Sequence, residues 1–126
     1  VEAAYIVDNV LAHCEDCFPL CYDVFFGRGT PALSKEALAN EKLPQHLGNL
    51  ERILGLHGGE YFTGQFSVAD VRVADICMHL FGRCLPGCLA PYPRLQRLVE
   101  RVKARPRIAA YLGSARYSQT DKFGPL

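Results

Sequence analysis

Six cysteines are the residues of this sequence with the most obvious chemical potential. Cys14, Cys17 and Cys21 have the spacing of metal ligands, and Cys84 and Cys88 follow later and could complete a site. Structural zinc sites, however, usually draw their ligands from turns, which let four side chains converge on the metal. The first three cysteines instead continue the apolar stripe of a helix, where a small hydrophobic side chain is favoured. We therefore expect core thiols, with zinc binding and a disulfide or redox role as alternatives.

The four histidines form no recognisable catalytic pair along the chain. A nucleophile and its base cannot be assembled from such scattered positions without a fold, so surface or core roles are favoured for each. The six tyrosines are equally ambiguous, because a buried tyrosine with a satisfied hydroxyl is common. The sequence contains no glycine-rich phosphate loop and no zinc-protease or serine-hydrolase motif. Residue types and spacing alone therefore predict no catalytic centre.

The composition is that of one globular domain. The chain has 126 residues, of which 49% are hydrophobic and 21% charged, and this is enough to bury a core. The formal net charge of +1 argues against a dedicated nucleic-acid binder. The charge is unevenly spread, since residues 1–27 hold five acids and no lysine or arginine, whereas residues 94–122 hold eight bases. The basic stretch could meet an anionic ligand or RNA, but a solvated helix face explains it better.

Targeting and membrane signals are missing from the pattern. No segment has the apolar length of a membrane span, and no basic start precedes an apolar signal region. Free thiols without such a signal suit a reducing compartment, so we expect a cytoplasmic protein without a membrane or nucleic-acid partner. The sequence begins with Val1, and its single methionine is Met78. We therefore expect it to be part of a longer translation product.

Hydrophobic periodicity predicts two long helices in the first half of the chain. Apolar residues recur every three to four positions over residues 1–26, a run that contains Pro19 and ends at the GRGTP segment (27–31). Ser34 is the expected N-cap of the second helix, whose apolar face is a row of leucines. Pro44 is expected to bend this second helix or to shift its start. No strand pattern is convincing anywhere.

The segment QFSVADVRVAD (65–75) predicts the start of a third helix. Ser67 can cap the first turn while Asp70 accepts from the N–H of Ser67, which is a capping box. Phe66, just before the cap, can pack on Val71 as a hydrophobic staple. The residues that follow are apolar nearly all round. Their polar strip consists of Arg72, Asp75 and His79. We therefore predict an all-α bundle of about five helices around this buried central helix.

The last third of the chain predicts shorter elements. The segment 82–93 is rich in glycine and proline and should be a break. Two helices are expected over residues 93–104 and 106–113, the second with Pro106 in its first turn, where proline is tolerated. The final stretch ARYSQTDKFGPL (115–126) is predicted to be an extended tail.

Several of these segments together resemble a known family. YFTGQFSVADVRVADI (61–76), YPRLQRLVERVKARPRIAAYLGSARYS (92–118) and AAYIVDNVLAH (3–13) resemble the C-terminal helical domain of cytosolic glutathione transferases, and they look closest to the sigma and mu classes. The resemblance covers almost the whole chain. In that family the capping box and the staple of the core helix direct folding. The resemblance therefore implies a structural role for the residues of the capping box and the staple, which are Phe66, Ser67, Asp70 and Val71.

The resemblance implies a function only indirectly. These enzymes bind glutathione mainly on an N-terminal thioredoxin-like domain, which also supplies the tyrosine that stabilises the reactive thiolate. No βαβ pattern is present, so that domain is expected outside this sequence, and no catalytic residue is expected within it. The helical half supplies the pocket wall for the second substrate and much of the dimer interface. The resemblance thus implies half of a homodimeric detoxification enzyme that joins glutathione, a co-substrate, to hydrophobic electrophiles without a cofactor or metal.

The resemblance also implies which residues form the site, because positions of this sequence can be matched to functional positions of the family. Sigma and mu enzymes contact the glutathione amine across the dimer with an acidic residue on the first helix of this domain. Here that place falls on Ala12 or His13, neither of which is acidic, and Asp8 one turn earlier could compensate. The electrophile pocket is expected along the far half of the first helix and under the tail. The expected wall is Cys14, Cys17, Phe18, Cys21, Tyr22 and Tyr117, with Phe123 as a further tail residue. The interhelical core is the competing interpretation for each.

Other functions remain open at this level. A non-catalytic assembly module of the same fold, as in translation elongation factor or aminoacyl-tRNA synthetase complexes, is the main alternative. The lack of an acid at Ala12 or His13 favours that module slightly, whereas the sigma- and mu-like tail favours the enzyme. A sigma-like enzyme that isomerises a prostaglandin-type substrate and a zinc-binding helical domain are further alternatives.

Overall fold

A computed structural model describes residues 2–27 and 32–120 of the chain, and these fold into six helices. Helix α1 spans Glu2–Phe26, α2 occupies 35–55, α3 occupies 68–84, α4 spans Pro93–Lys103, α5 spans Pro106–Leu112 and α6 spans Ala115–Thr120. No strand occurs within the described ranges. The predicted all-α bundle is therefore confirmed.

Helix α1 forms over the predicted range and passes through Pro19 without interruption. Its inner face is fully buried and consists of Val10, Cys14, Cys17 and Cys21. The helix ends at Phe26, and the N–H of Gly27 donates to the carbonyl of Asp23 at 3.0 Å. The rest of the predicted break, residues 28–31, lies outside the described residues.

Helix α2 begins at its predicted cap, where Ser34 Oγ accepts from the N–H of Ala37 at 3.1 Å. It consists of Lys35–Ala37, a π turn at Leu38–Lys42, and Leu43–Gly55. In the π turn the N–H of Leu43 donates to the carbonyl of Leu38, five residues earlier. Pro44, which follows at once, has no N–H to donate, so the wider turn accommodates it inside the helix. The buried row is Leu43, Leu47, Leu50 and Leu54.

Helix α3 is the centre of the bundle, as predicted, because it packs on α1 on one side and on α4 on the other. It consists of Val68–Ile76, a second π turn at Cys77–Phe81, and Gly82–Cys84. Its first turn is less enclosed than the apolar pattern predicts, since Val68 and Val71 are exposed. The inner face from Ala69 onward is buried and contacts both neighbouring helices; it consists of Ala69, Asp70, Val73, Ala74, Ile76, Cys77, Leu80 and Phe81.

The predicted capping box is present at the start of α3. Asp70 Oδ2 accepts from the N–H of Ser67 at 2.7 Å and from its hydroxyl at 3.1 Å. Asp70 Oδ1 accepts from the N–H of Phe62 at 3.0 Å, and the Asp70 side chain is fully buried. The carboxylate therefore fastens the preceding loop to the helix in addition to capping it.

The second predicted feature at the start of α3 is the hydrophobic staple of Phe66 and Val71. The Phe66 ring meets Tyr61 edge-on at 5.7 Å, and the guanidinium of Arg105 lies 3.5 Å from its centroid. These contacts connect the loop before α3 to the start of α5. A contact between Phe66 and Val71 stays a prediction.

Helices α4 and α5 begin at Pro93 and Pro106, close to the predicted positions. The first turn of α4 is capped from another helix, because Glu51 of α2 accepts from the N–H groups of Arg94 and Leu95, each at 2.9 Å. A carboxylate at a helix N-terminus satisfies free donors and complements the helix dipole. This contact holds α4 against α2.

The predicted extended tail is wrong in its first half. Residues Ala115–Thr120 form α6, because the hydroxyl of Ser114 accepts from the N–H of Tyr117 at 3.3 Å and caps a new turn. Residues 121–126, which include Phe123, lie outside the described residues. Within 2–27 and 32–120, no helix combines the length and apolar character that a bilayer crossing requires.

Candidate functional site

An apolar cavity of about 210 Å³ lies between the C-terminal half of α1 and the middle of α3. Its lining consists of Phe18, Tyr22 and Phe26 from α1 and Asp75, Ile76, His79 and Leu80 from α3. Two of the predicted wall residues, Phe18 and Tyr22, therefore lie where an electrophile pocket was expected.

The α1 wall of the cavity is a ridge of three aromatic rings. Phe18 and Tyr22 stack with centroids 5.8 Å apart, and Tyr22 and Phe26 approach to 5.4 Å. Residues four positions apart lie one above another on the same side of a helix. The spacing of four thus makes a continuous aromatic surface along α1.

The α3 wall carries a polar chain that reaches the last described helix. Asp75 Oδ1 lies 2.8 Å from His79 Nδ1, and His79 Nε2 lies 2.7 Å from the hydroxyl oxygen of Tyr117. His79 Nδ1–H donates to the carboxylate, and a second hydrogen bond joins Nε2 to the Tyr117 hydroxyl. Tyr117, a predicted wall residue, therefore supports the cavity edge through His79.

Arg72 continues this polar edge toward α1. Its guanidinium lies 3.0 Å from Glu15 and 3.5 Å from Asp75, and 5.3 Å from the centroid of the Phe18 ring. The strip of Arg72, Asp75 and His79 predicted from the sequence is thus one connected network. The cavity is lined mainly by apolar side chains, with Asp75 and His79 of this network at one edge. This arrangement suits an apolar ligand with one polar end.

The three cysteines predicted for the pocket wall lie in the core. Cys14, Cys17 and Cys21 are buried, and none of them is among the residues that line the cavity. Burial raises the pKa of Cys14 to about 11 and that of Cys17 to about 12, and it also raises the pKa of Cys21. Protonated thiols of this kind pack as small apolar side chains. In the part of the chain that is described, no three His, Cys, Asp or Glu side chains converge as a metal site.

The two residues predicted to contact glutathione lie on different sides of α1. Asp8 is exposed, whereas His13 is half-buried. His13 Nε2 lies 3.2 Å from Nδ1 of His46 and 3.2 Å from the His46 carbonyl oxygen, with the rings 4.8 Å apart. Five residues turn a helix by about 140°, so Asp8 and His13 do not share a face. Asp8 is the one that remains accessible to a ligand.

The contact between His13 and His46 predicts a pH dependence of stability. Burial and the nearby His13 lower the pKa of His46, Lys42 reinforces this, and Asp16 opposes it. Because the folded-state pKa lies below the unfolded value of about 6.5, the unfolded chain takes up the proton first as the pH falls. We expect stability to fall between about pH 7.5 and about pH 5.5, and His46→Gln to make that fall shallower. Thermal melts across this range test the prediction, and equal slopes for both proteins would contradict it.

Five lining residues were not predicted as pocket wall: Phe26, Asp75, Ile76, His79 and Leu80. The sequence does contain a signal for Phe26, because this residue continues the four-residue spacing of Phe18 and Tyr22. The others depend on how α3 is rotated against α1, and the π turn at Cys77–Phe81 alters that rotation locally.

The fold and the cavity define an all-α domain with a small apolar recess between two helices. Comparison with known proteins gives its family. A family model described as "Glutathione S-transferase, C-terminal domain" matches residues 15–115. The chain therefore belongs to the glutathione S-transferase family.

Curated relatives agree with this assignment. The chain is 36% identical over 75 residues to glutathione S-transferase P 1 of Bufo bufo, a match over 57% of this chain and 35% of that protein. It is 39% identical over 77 residues to glutathione S-transferase P 1 of Xenopus laevis, over 59% of this chain and 36% of that one. It is 36% identical over 78 residues to glutathione S-transferase P of Homo sapiens, over 60% and 37% respectively.

These matches span little more than a third of the length of the relatives. The relatives carry the P designation, so the likeness to the sigma and mu classes is not confirmed and stays a prediction. No solved structure matches the chain.

Proposed function

We propose that this chain is the substrate-binding helical half of a glutathione transferase that conjugates glutathione to hydrophobic electrophiles. The observation that carries the proposal is the cavity between α1 and α3, with its aromatic wall and with Asp75 and His79 at its edge. Family membership supports the reaction class. In this proposal the enzyme is a cytoplasmic homodimer that serves detoxification and uses glutathione as a co-substrate.

The size of the cavity supports a site shared with another domain. A volume of about 210 Å³ is smaller than the roughly 300–1,000 Å³ of typical ligand pockets. A thioredoxin-like domain of the same protein would bring glutathione and close the remaining side. The helical chain contributes the apolar surface against which the electrophile rests.

The first experiment is the intact mass and activity of the protein from its natural source. A mass well above the 14.0 kDa of this chain leaves room for a glutathione-binding domain. Conjugation is then measured with an activated aryl chloride and with a small hydrophilic haloacid, each corrected for its uncatalysed rate. The proposal expects kcat/KM at least about tenfold higher for the aryl chloride, because only that substrate buries apolar surface in the cavity.

A mass near that of the chain, or an inactive full-length protein, would contradict the proposed enzyme. The remaining function would then be the non-catalytic assembly module, and a defined complex of larger mass would support it. Light scattering on the full-length protein tests the dimer separately.

The proposed glutathione contact is Asp8, since His13 packs on His46. Asp8→Ala should raise the KM for glutathione severalfold with little change in the KM for the electrophile, because an ammonium group loses its carboxylate partner. Asp16→Ala removes the same charge two turns further along α1 and serves as the matched control. Equal effects of the two substitutions would place the glutathione contact elsewhere.

A further inference from the structure

Two histidines on neighbouring helices face each other through their ring nitrogens. Nε2 of His13 on α1 lies 3.2 Å from Nδ1 of His46 on α2, and the ring centroids are 4.8 Å apart. Nε2 of His13 also lies 3.2 Å from the carbonyl oxygen of His46. Because a carbonyl oxygen only accepts hydrogen bonds, Nε2 of His13 is assigned as the donor. Both residues are half-buried, so solvent can reach the pair.

We propose that His13 and His46 form a binding site for a divalent transition-metal ion of the zinc type. Imidazole nitrogen is a preferred ligand of Ni²⁺, Cu²⁺ and Zn²⁺. The site has two protein ligands, because no third His, Cys, Asp or Glu side chain converges with them in the described ranges. Water would complete the coordination, so the ion would exchange more readily than one held by four protein ligands.

The separation of the two nitrogens fits coordination to one ion. Zinc binds imidazole nitrogen at about 2.0–2.1 Å. Two such bonds to nitrogens that lie 3.2 Å apart enclose an angle of about 100° at the metal, close to the tetrahedral value of about 109°. The backbones of α1 and α2 therefore already lie at the distance that a shared ion requires.

Only the two rings and one proton have to be rearranged. The nitrogen lone pairs must turn from each other toward a common point, which requires each ring to tilt by about 40°. The outer torsion of a histidine side chain has broad minima, so this tilt costs little. The proton on Nε2 of His13 moves to Nδ1 of the same ring. Both coordinating nitrogens are then unprotonated, and the charge of the two imidazoles is unchanged.

The ion would join α1 to α2 at the edge of the core. His13 directly precedes the buried Cys14, and His46 directly precedes the buried Leu47, so each ligand is held beside a packed helix face. An ion that binds only the folded protein raises its stability. Neither histidine lines the cavity between α1 and α3, so the ion would stabilise the domain without entering the proposed electrophile site.

The test is isothermal titration calorimetry of Zn²⁺ into the full-length protein, which is kept reduced and free of glutathione. We expect a binding step of one ion per chain that EDTA reverses. His13→Gln and His46→Gln should each weaken this step at least about tenfold, because changes even outside the ligand shell typically cost about 10–100-fold in metal affinity. His57→Gln is the matched control, since His57 lies past the end of α2, and it should bind like the wild type.

A second measurement uses the wild-type protein and is independent of how the variants fold. Diethyl pyrocarbonate modifies unprotonated imidazole, and peptide mapping by mass spectrometry identifies the histidines that react. Zn²⁺ should slow the modification of His13 and His46 severalfold and leave that of His57 unchanged.

Three results would overturn the proposal. They are a wild-type protein that binds no zinc, a folded His46→Gln variant that keeps the wild-type affinity, and a modification rate of His13 and His46 that zinc does not alter. Neither measurement requires transferase activity or glutathione. Failure of this proposal would therefore leave the proposed function unaffected, and an inactive protein would leave the metal site open to the same two measurements.

Discussion

Substitution of Asp70 by alanine is expected to destabilise the domain by about 3 kcal/mol, more than an ordinary cap contributes. Loss of a helix cap alone costs about 0.5–2 kcal/mol. Asp70 also accepts from the N–H of Phe62, and both residues are fully buried, so the substitution leaves a buried donor without a partner. An unsatisfied buried donor adds about 1–3 kcal/mol. Urea unfolding followed by far-UV circular dichroism measures the change.

A second cap in the same chain provides the control. Ser34→Ala removes the exposed cap of α2, which fastens no buried loop, and should cost about 1 kcal/mol or less. Asp70→Asn keeps one acceptor oxygen and should fall between the two. If Asp70→Ala costs no more than Ser34→Ala, the connection to Phe62 contributes nothing measurable.

The largest functional effect is expected from Phe18→Ala in the full-length enzyme, under the function proposed above. Phe18 stacks on Tyr22, carries the Arg72 guanidinium over its face and lines the cavity. Its loss removes an aromatic contact surface, and contacts of this kind in apolar pockets are worth about 1–3 kcal/mol. The kcat/KM for a hydrophobic electrophile should therefore fall by about tenfold to a hundredfold, with the KM for glutathione unchanged.

Tyr5→Ala is the matched control, since it removes an aromatic ring from the same helix at a position that is 70% exposed and away from the cavity lining. It should leave both constants within about twofold. A comparable loss in the two variants would show that helix stability, and not the pocket wall, governs the rate. A thermal melt of each variant separates these cases.

Local chemistry explains which parts of the fold were predictable. Ser67 and Asp70 lie three residues apart, and the hydrogen bonds of a capping box depend only on that spacing, so the start of α3 could be read directly. The buried faces of α1 and α2 could be predicted as well, because hydrophobic periodicity is also a local property of the sequence. The bond from Asp70 to Phe62 depends on the path of the loop between them, which no local rule fixes. The helical turn after Ser114 was missed although serine is a common cap.

The site was harder to predict than the fold because it depends on the rotation of each helix. Phe18 and Tyr22 were predicted for the pocket wall together with Cys14, Cys17 and Cys21. Phe18 and Tyr22 line the cavity, whereas the cysteines occupy the neighbouring, core-facing edge of the same stripe. The apolar stripe of α1 is wide enough to contact both the core and the cavity. The sequence does not show which edge of the stripe contacts the core and which contacts the cavity. His79 was recognised as part of a polar strip, but its partner Tyr117 lies 38 residues later and is brought there by α6.

The π turn at Cys77–Phe81 has a consequence for variation in chain length. Its hydrogen bond closes over five residues where an α-helical turn closes over four, so it holds one residue more than a regular turn. Deletion of one residue here would restore a regular turn and leave both flanking segments in register. The same deletion within Val68–Ile76 would rotate the buried positions after it by about 100° and turn apolar side chains toward water. Homologues one residue shorter in the central helix should therefore carry the gap at this turn.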